Sequence, residues 1–512
     1  MNRTSSIGSA TIVLTVFGLI GKATGFFREV LFANYFGISR EYELYLVASV
    51  FPITLNSIAL YIYQNYFIPA YSKRENIGSE HAVIFSKKNF LNSIIISVFL
   101  LILLLLFRIP ILKIYIGDQL ITDKTQLLFI IFSCSVPLSI VSGFLISYLQ
   151  TRFDFKSPAM ASLSLNIFTI VALIIFRETD ITYIALAYLV GITVQTILLI
   201  KASHILKLFQ YKYPIASDKI NSVSSSIIWI VLIEIVGQLY LISDRYFLSR
   251  VDEGGIAAIN YATTIFVLPI SIITISISTA ILPKFSRLAA VNSYSELREK
   301  ITTALVNILL AFIPLTMIFI FWGKEVVRII YERGNFTTNS TEVTSDVLFY
   351  LSISLVFYSI YGIINKLFYI YEKVKTLLII TLLGIVVKIF FNFVLVDSLK
   401  QNGLVISTSL SYLLFFISSV VVIQYQLKLI ELEKIAKRFI LYLSNGFFSF
   451  LIVRNLFILV SFESILFDLI KIILFLLLYS YSNQLLKDKY QLLFQNELLR
   501  FLLPIKFSGK EI

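Results

Sequence analysis

About fourteen apolar stretches, each long enough to cross a bilayer, follow one another between residues 7 and 486 of this 512-residue chain. A spanning helix needs roughly 20 mostly apolar residues, because a hydrocarbon core of about 30 Å is crossed at about 1.5 Å per residue. The stretches run approximately over 7–33, 42–71, 89–107, 126–150, 157–176, 181–200, 226–248, 256–283, 303–323, 347–371, 376–396, 402–424, 437–460 and 464–486. With 58% hydrophobic residues and a mean hydropathy of +0.88, soluble globular classes are excluded. The stretches are too long and too evenly apolar for barrel strands, so an all-α polytopic membrane protein of about 14 transmembrane helices is expected.

Basic residues set the expected orientation. With the N-terminus in the cytoplasm, one set of loops holds Lys73, Arg74, Lys87 and Lys88, then Lys201, Lys207, Lys212 and Lys219. It continues with Lys284, Arg287, Arg298 and Lys300, then Lys428, Lys434, Lys437 and Arg438, and ends in the tail from Lys487 to Lys510. The opposite loops hold fewer than half as many, the bias expected of cytoplasmic against external faces, and an even helix count puts both termini inside. The +13 net charge is accounted for by this topology and by contact with anionic membrane lipids, so no nucleic-acid partner is implied. The first stretch lacks the short apolar core and cleavage site of a secretory signal and is expected to persist in the mature protein.

The only cysteine, Cys134, lies in the fourth stretch, and the two histidines, His81 and His204, lie in expected cytoplasmic loops. No disulfide framework, metal centre or thiol nucleophile is expected from these residues. There is no Walker-type glycine loop, and the glycines are scattered through apolar stretches, where they permit close helix packing. Neither an enzyme nor a cofactor site is expected.

An internal repeat organises the chain. Arg28 precedes Pro52 by 24 residues, the interval that separates Arg245 from Pro269. A second proline follows each, in YFIPAYSKR at 66–74 and in ILPKFSR at 281–287. Two pseudo-repeated six-helix lobes, 1–222 and 223–428, are therefore expected, with two extra helices over 429–486 and a basic cytoplasmic tail over 487–512. Parallel repeats of this kind are how many transporters build a central cavity.

Charges inside the apolar stretches indicate what such a cavity holds. Lys22 sits about 16 Å along its helix from Ala33, near mid-bilayer, and its stem of about 6 Å is too short to snorkel out. Glu29 falls on nearly the same face while Arg28 points elsewhere on an ideal helix, and a bend at Gly25 would bring all three towards one lumen. Lys366, Lys388 and the pair Asp244 and Arg245 repeat the theme in the second half. Each residue taken alone reads equally well as a paired structural charge or an interfacial snorkeler. Together they favour a cationic path, since a charge at the bilayer centre costs about 2.5 kcal/mol or more unless solvated or paired. An amphipathic anion with a lipid tail fits such a path, its phosphates meeting Lys and Arg while its tail stays in the membrane. Energy for transport then comes from ion or potential coupling, or from consumption of the product.

The run GKATGFFREVLFANYFGISREYELYLVASVFP at 21–52 resembles the opening helices of MurJ/MviN-type lipid II flippases, of the multidrug/oligosaccharidyl-lipid/polysaccharide exporter superfamily. The resemblance continues at 254–287 and at 329–376, the latter containing ERGNFT, and the count of fourteen helices fits that subfamily better than its twelve-helix relatives. It implies a flippase working by alternating access on an undecaprenyl-pyrophosphate-linked saccharide, either lipid II or a surface-polysaccharide precursor, in the bacterial cytoplasmic membrane. Cell-envelope synthesis enzymes are the implied protein partners.

By the same resemblance, Lys22 and Arg28 occupy positions of cavity arginines and Glu43 that of an acidic gate residue, with Arg28 and Glu43 expected to pair near the external face. Asn56 stands near a position where the family usually has arginine, and Thr263 and Thr264 stand where it usually has an Asp-Arg pair. The expected substrate-lining residues are thus Lys22, Arg28, Asn56 and Thr264, with two family cations missing. Some superfamily members hold a monovalent cation in the second lobe. Lys388, with Asn392 four residues on and Asp244 as partner, is the expected ion-coupling group, its ammonium standing in for that cation; a lysine lining a hydrated cavity is the alternative. A drug or cation antiporter, which would call for a cavity dominated by carboxylates, and a non-transporting membrane scaffold remain the competing readings.

Overall fold

Backbone polar groups in hydrocarbon must be satisfied within their own segment, which leaves the helix as the form for every apolar stretch. The computed structural model of this protein describes residues 3–116, 120–177, 180–210, 225–247, 250–458, 464–486 and 490. Over these residues each of the fourteen apolar stretches is helical. Lys212, Lys219 and the tail 487–512, apart from Tyr490, lie outside the described residues, as does the side chain of Arg245.

The helices are, in order, α1 (Arg3–Phe36), α2 (Arg40–Ile62), α3 (Ile68–Ile77), α4 (Ser79–Leu106), α5 (Arg108–Ile116), α6 (Asp123–Thr151), α7 (Lys156–Ile175), α8 (Thr182–Ser203) and α9 (Ser225–Tyr246). They continue with α10 (Gly255–Pro269), α11 (Ile275–Ala290), α12 (Tyr294–Phe321), α13 (Gly323–Tyr331), α14 (Thr338–Ser352), α15 (Leu355–Ile370), α16 (Val374–Leu427), α17 (Leu432–Phe457) and α18 (Ile465–Leu485). Among the described residues ten helices are long and apolar enough to cross a membrane, or eleven when α14 and α15, bent by 48°, count as one span. The 54-residue α16 holds two of the apolar stretches, parted at Lys400, whose backbone leaves helical geometry at φ 49° and ψ −129°.

Local chemistry sets the helix ends. Gly37, at φ 54°, follows the end of α1, and Ser39 caps α2 by accepting the amide of Tyr42. Thr122 caps α6 and Ser464 caps α18 in the same manner, as hydroxyl N-caps do. The second helix of each expected lobe carries a proline and a π turn, Pro52 with Tyr63–Phe67 and Pro269 with Ile270–Thr274. Many of the buried serines return their hydroxyls to the preceding turn, as Ser86 does to Ala82 O, Ser133 to Phe129 O and Ser147 to Gly143 O, which keeps these hydroxyls satisfied without water.

The chain forms two compact units, a criterion separate from the sequence repeat on which the boundaries at 222, 428 and 486 are drawn. One comprises Met1–Thr264, Tyr331–Val343 and Val374–Ser407; the other comprises Ile265–Ile330, Thr344–Lys373 and Thr408–Ile512. In the first, Phe67 stacks on Phe85 and meets Phe144 edge-on. There α7 and α8 pack so closely that a Cβ on Gly191 would come within 2.9 Å of Leu165 Cα. In the second, Trp322 packs between Phe450 and Phe475, and a Cβ on Gly446 would lie only 2.3 Å from Met317 Sδ.

Candidate functional site

Four helices of the first unit meet in a network around the ion pair of Arg28 and Glu29. On α1, the Arg28 guanidinium donates to Glu29 Oε1 through Nη2 at 2.7 Å and Nε at 3.2 Å, and through Nη1 to Asn166 Oδ1 of α7 at 3.1 Å. Asn166 in turn donates to Thr24 Oγ1 at 3.3 Å. The other carboxylate oxygen of Glu29 accepts the Tyr42 hydroxyl of α2 at 2.8 Å and Asn260 Nδ2 of α10 at 3.1 Å. Glu29 is 8% exposed, so its charge is compensated by a guanidinium and two neutral donors rather than by water, the condition under which a buried ion is tolerated. Helix α1 runs unbroken through Gly25, and the ion pair forms between successive residues without a bend there.

Aromatic rings surround this network. Tyr42 stacks on Tyr261 at 5.3 Å, and Tyr261 meets Tyr331 at 5.0 Å and the edge of Phe336 at 5.4 Å. The Tyr261 hydroxyl donates to Gly37 O at 2.9 Å. All four rings are buried.

The expected pairing of Arg28 with Glu43 is not what forms. Arg28 is held by Glu29 and Asn166, while Glu43 has Arg40 Nη1 2.9 Å from Oε2 and accepts the Ile256 amide on Oε1 at 2.9 Å. The reason is proximity: Glu29 is the adjacent residue, and Glu43 sits against the first turn of α10, whose unpaired N–H groups and dipole favour an anion. Glu43 is fully buried and so joins α2 to the start of α10.

Lys22 is half-buried on α1, six residues from Arg28. Asn56 on α2 and Thr263 on α10 are half-buried as well, and Thr264 gives its hydroxyl to Asn260 O at 2.9 Å. Arg28 is thus held by Glu29 and Asn166, and Thr264 by the backbone of Asn260. Asp244, Lys388 and Asn392, by contrast, are brought together. Lys388 Nζ lies 2.7 Å from Asp244 Oδ1, donates to Oδ2 at 2.8 Å and stands 4.0 Å over the Tyr240 ring. Asn392 Nδ2 donates to Asp244 Oδ1 at 3.4 Å, and the side chains of Lys388 and Asn392 are wholly buried. Asn392 Oδ1 is buried with no hydrogen-bond partner.

Asn166 and Asn260 escaped the sequence reading, although a lone asparagine in SLSLNIF or AAINYATT is itself a polar group in an apolar stretch. Tyr42, Tyr240 and Arg40 escaped too, and carried no signal apart from position.

Residues 32–475 match the family model described as "Lipid II flippase MurJ". The lipid II flippase MurJ of Thermosipho africanus is 26% identical over 460 residues, covering 86% of this chain and 91% of the relative. The probable lipid II flippase MurJ of Rickettsia prowazekii is also 26% identical, over 78% of this chain and 80% of the relative. A solved structure titled as lipid II flippase MurJ in an inward closed conformation has the same fold, with a TM-score of 0.75 at 22% identity over 96% of this chain and 99% of that one. An inward-facing multidrug resistance MATE transporter is more distantly similar, with a TM-score of 0.63 at 14% identity over 84% of this chain and 99% of that one.

Proposed function

We propose that this chain, which belongs to the lipid II flippase MurJ family, moves an undecaprenyl-pyrophosphate-linked saccharide of the lipid II kind across the bacterial cytoplasmic membrane by alternating access. Family membership makes it a transporter of a lipid-linked precursor rather than an enzyme, and a multi-pass membrane protein. The observation that carries the substrate reading is the family match over residues 32–475. The cations on α1 support it: a pyrophosphate needs charged donors, and Lys22 and Arg28 supply them from one helix.

In this reading Lys22 is the first contact of the pyrophosphate. Arg28 is held ready by Glu29 and Asn166, while Glu43 closes the external side by joining α2 to α10. Both termini lie in the cytoplasm. Asn56, Thr263 and Thr264, neutral where the resemblance leads one to expect charges, favour a second reading in which the load is a surface-polysaccharide precursor on the same polyprenyl pyrophosphate.

Complementation separates the two. Expression in cells depleted of their lipid II flippase should restore growth, and expression in cells lacking an O-antigen flippase should not restore surface polysaccharide. The reverse pattern would transfer the assignment to the second reading. Within the rescued strain, Lys22→Ala should abolish growth at unchanged protein level and Lys22→Arg should retain part of it; full rescue by Lys22→Ala would remove Lys22 from the path.

A further inference from the structure

The end of α1 and the turn that follows α13 are joined by one main-chain bond and one side-chain amide bond. Asn335 N donates to Asn34 O at 2.8 Å, and Asn335 Nδ2 donates to Tyr35 O at 2.6 Å. These are the last carbonyls of α1, which have no acceptor role left within the helix. The approach is close enough to exclude a side chain on either strand of the contact. A Cβ on Gly334 would lie 2.3 Å from Asn34 O, and a Cβ on Gly37 would lie 2.4 Å from Asn335 O. Both glycines also adopt positive φ, 56° and 54°, a conformation that L side chains enter at a cost.

The turn is anchored on its own side. Phe336, 1% exposed, packs on Tyr331 and Tyr261, and the Thr341 hydroxyl donates to Glu332 at 2.5 Å. Tyr331 also approaches Phe26 of α1 at 6.5 Å and Tyr261 bonds to Gly37 O, whereas Gly334 and Asn335 themselves meet α1 through two hydrogen bonds and a fit between glycines. The joint made by Gly334 and Asn335 can part and re-form while Phe336 keeps its place among the rings.

We propose that Gly334 and Asn335, hinged on the anchored Phe336, are an external latch, which bonds to the carboxyl end of α1 when the outer side is shut and lets go when it opens. The inference rests on the topology and alternating access proposed above. It differs from a charge gate in depending on glycines, a main-chain bond and a neutral side-chain amide.

Two experiments test it in the full-length protein carrying Cys134→Ser. Ala257, near the start of α10, is fully buried; as Ala257→Cys it should resist a membrane-impermeant thiol reagent added outside. Adding Gly334→Ala should raise its labelling rate severalfold, and Asn335→Ala should raise it by less. Equal labelling in all three proteins would overturn the latch, whatever the substrate proves to be. In a separate protein, Asn34→Cys with Asn335→Cys joined by a short thiol crosslinker should stop transport, and transport should return when a cleavable linker is cut. Undiminished transport in the crosslinked protein would also overturn it. Should Gly334→Ala fail to accumulate, the crosslinking arm decides alone.

Discussion

Lys388 and Asp244 show how much a single pair of residues can be read in two ways. A wholly buried ammonium 2.7 Å from a carboxylate is costly to assemble, and more costly to leave half-made, since removing one partner of a buried pair costs about 3–5 kcal/mol. Lys388→Met should therefore lower the thermal midpoint of the detergent-purified protein sharply. Lys388→Met with Asp244→Asn should recover most of that loss, because the stranded carboxylate is gone. A double variant as unstable as the single one would show that Lys388 acts through packing on Tyr240 and not through charge. The tethered-cation role adds a functional readout: native transport indifferent to sodium, with sodium dependence appearing in Lys388→Asn, whose removed ammonium leaves Asp244 and the Asn392 carbonyl oxygen facing a vacated position. A native protein that already needs sodium would sink that role. The depth of Lys388 and its four-residue spacing to Asn392 were legible in the sequence, because a charge far from either membrane face has few options. The partner of Arg28 was not legible, since helical geometry separates neighbours by about 100° and gives no hint that a flexible guanidinium will turn back to the next residue.

At the scale of elements, apolar length located the helices, of which ten or eleven among the described residues can cross a membrane, and the separation of 376–396 from 402–424 falls at Lys400. What it did not give was the geometry at the division, a break within one long helix at Lys400, because polar residues signal an interface and not an angle. The last two helices add a test of attachment. Asp468, at the start of α18 and 1% exposed, accepts from Arg328 Nε of α13 at 2.9 Å and lies 3.5 Å from Lys471. The middle of α17 meets α12 where Gly446 faces Met317. Asp468→Ala leaves Arg328 without its carboxylate, and Gly446→Leu forces the two helices apart. Each should loosen the α17–α18 hairpin, detected as faster proteolysis of the loop between α16 and α17 in detergent, with Asp468→Glu close to native. Unchanged proteolysis in both would mean that apolar packing, such as Trp322 against Phe450 and Phe475, holds the hairpin by itself.

For the whole molecule the basic residues carry the proposed orientation, and the opposite loops hold an ion cluster that ties three segments of the first unit. Lys124, just before the fourth span, lies 3.0 Å from Asp180 and pairs with Glu41, which also accepts the Ile181 amide at 3.5 Å. For Asp180, burial works against the charged form but is outweighed by bonds from the Thr182 hydroxyl and amide and by Lys124, so its pKa falls below the usual 3.8. For Lys124, burial is likewise outweighed by Glu41 and Asp180, and its pKa rises above the usual 10.5. The depressed carboxylate gives stability that is present above pH 3.8 and lost as pH falls through its lower folded value. The raised ammonium gives stability that is present below pH 10.5 and lost as pH rises through its higher one. Between those limits Asp180 and Lys124 keep their charges, so an external pH moving from 5 to 9 should leave the contribution of their pair unchanged. Both side chains are substantially exposed, and solvent screening holds that contribution to within about 1 kcal/mol. Asp180→Asn should thus lower the thermal midpoint slightly and by the same amount at pH 5, 7 and 9, with the difference shrinking in high salt and fading as pH falls through the lowered value of the Asp180 carboxyl. A difference that changes between pH 5 and 9 would show that another titrating group governs these loops.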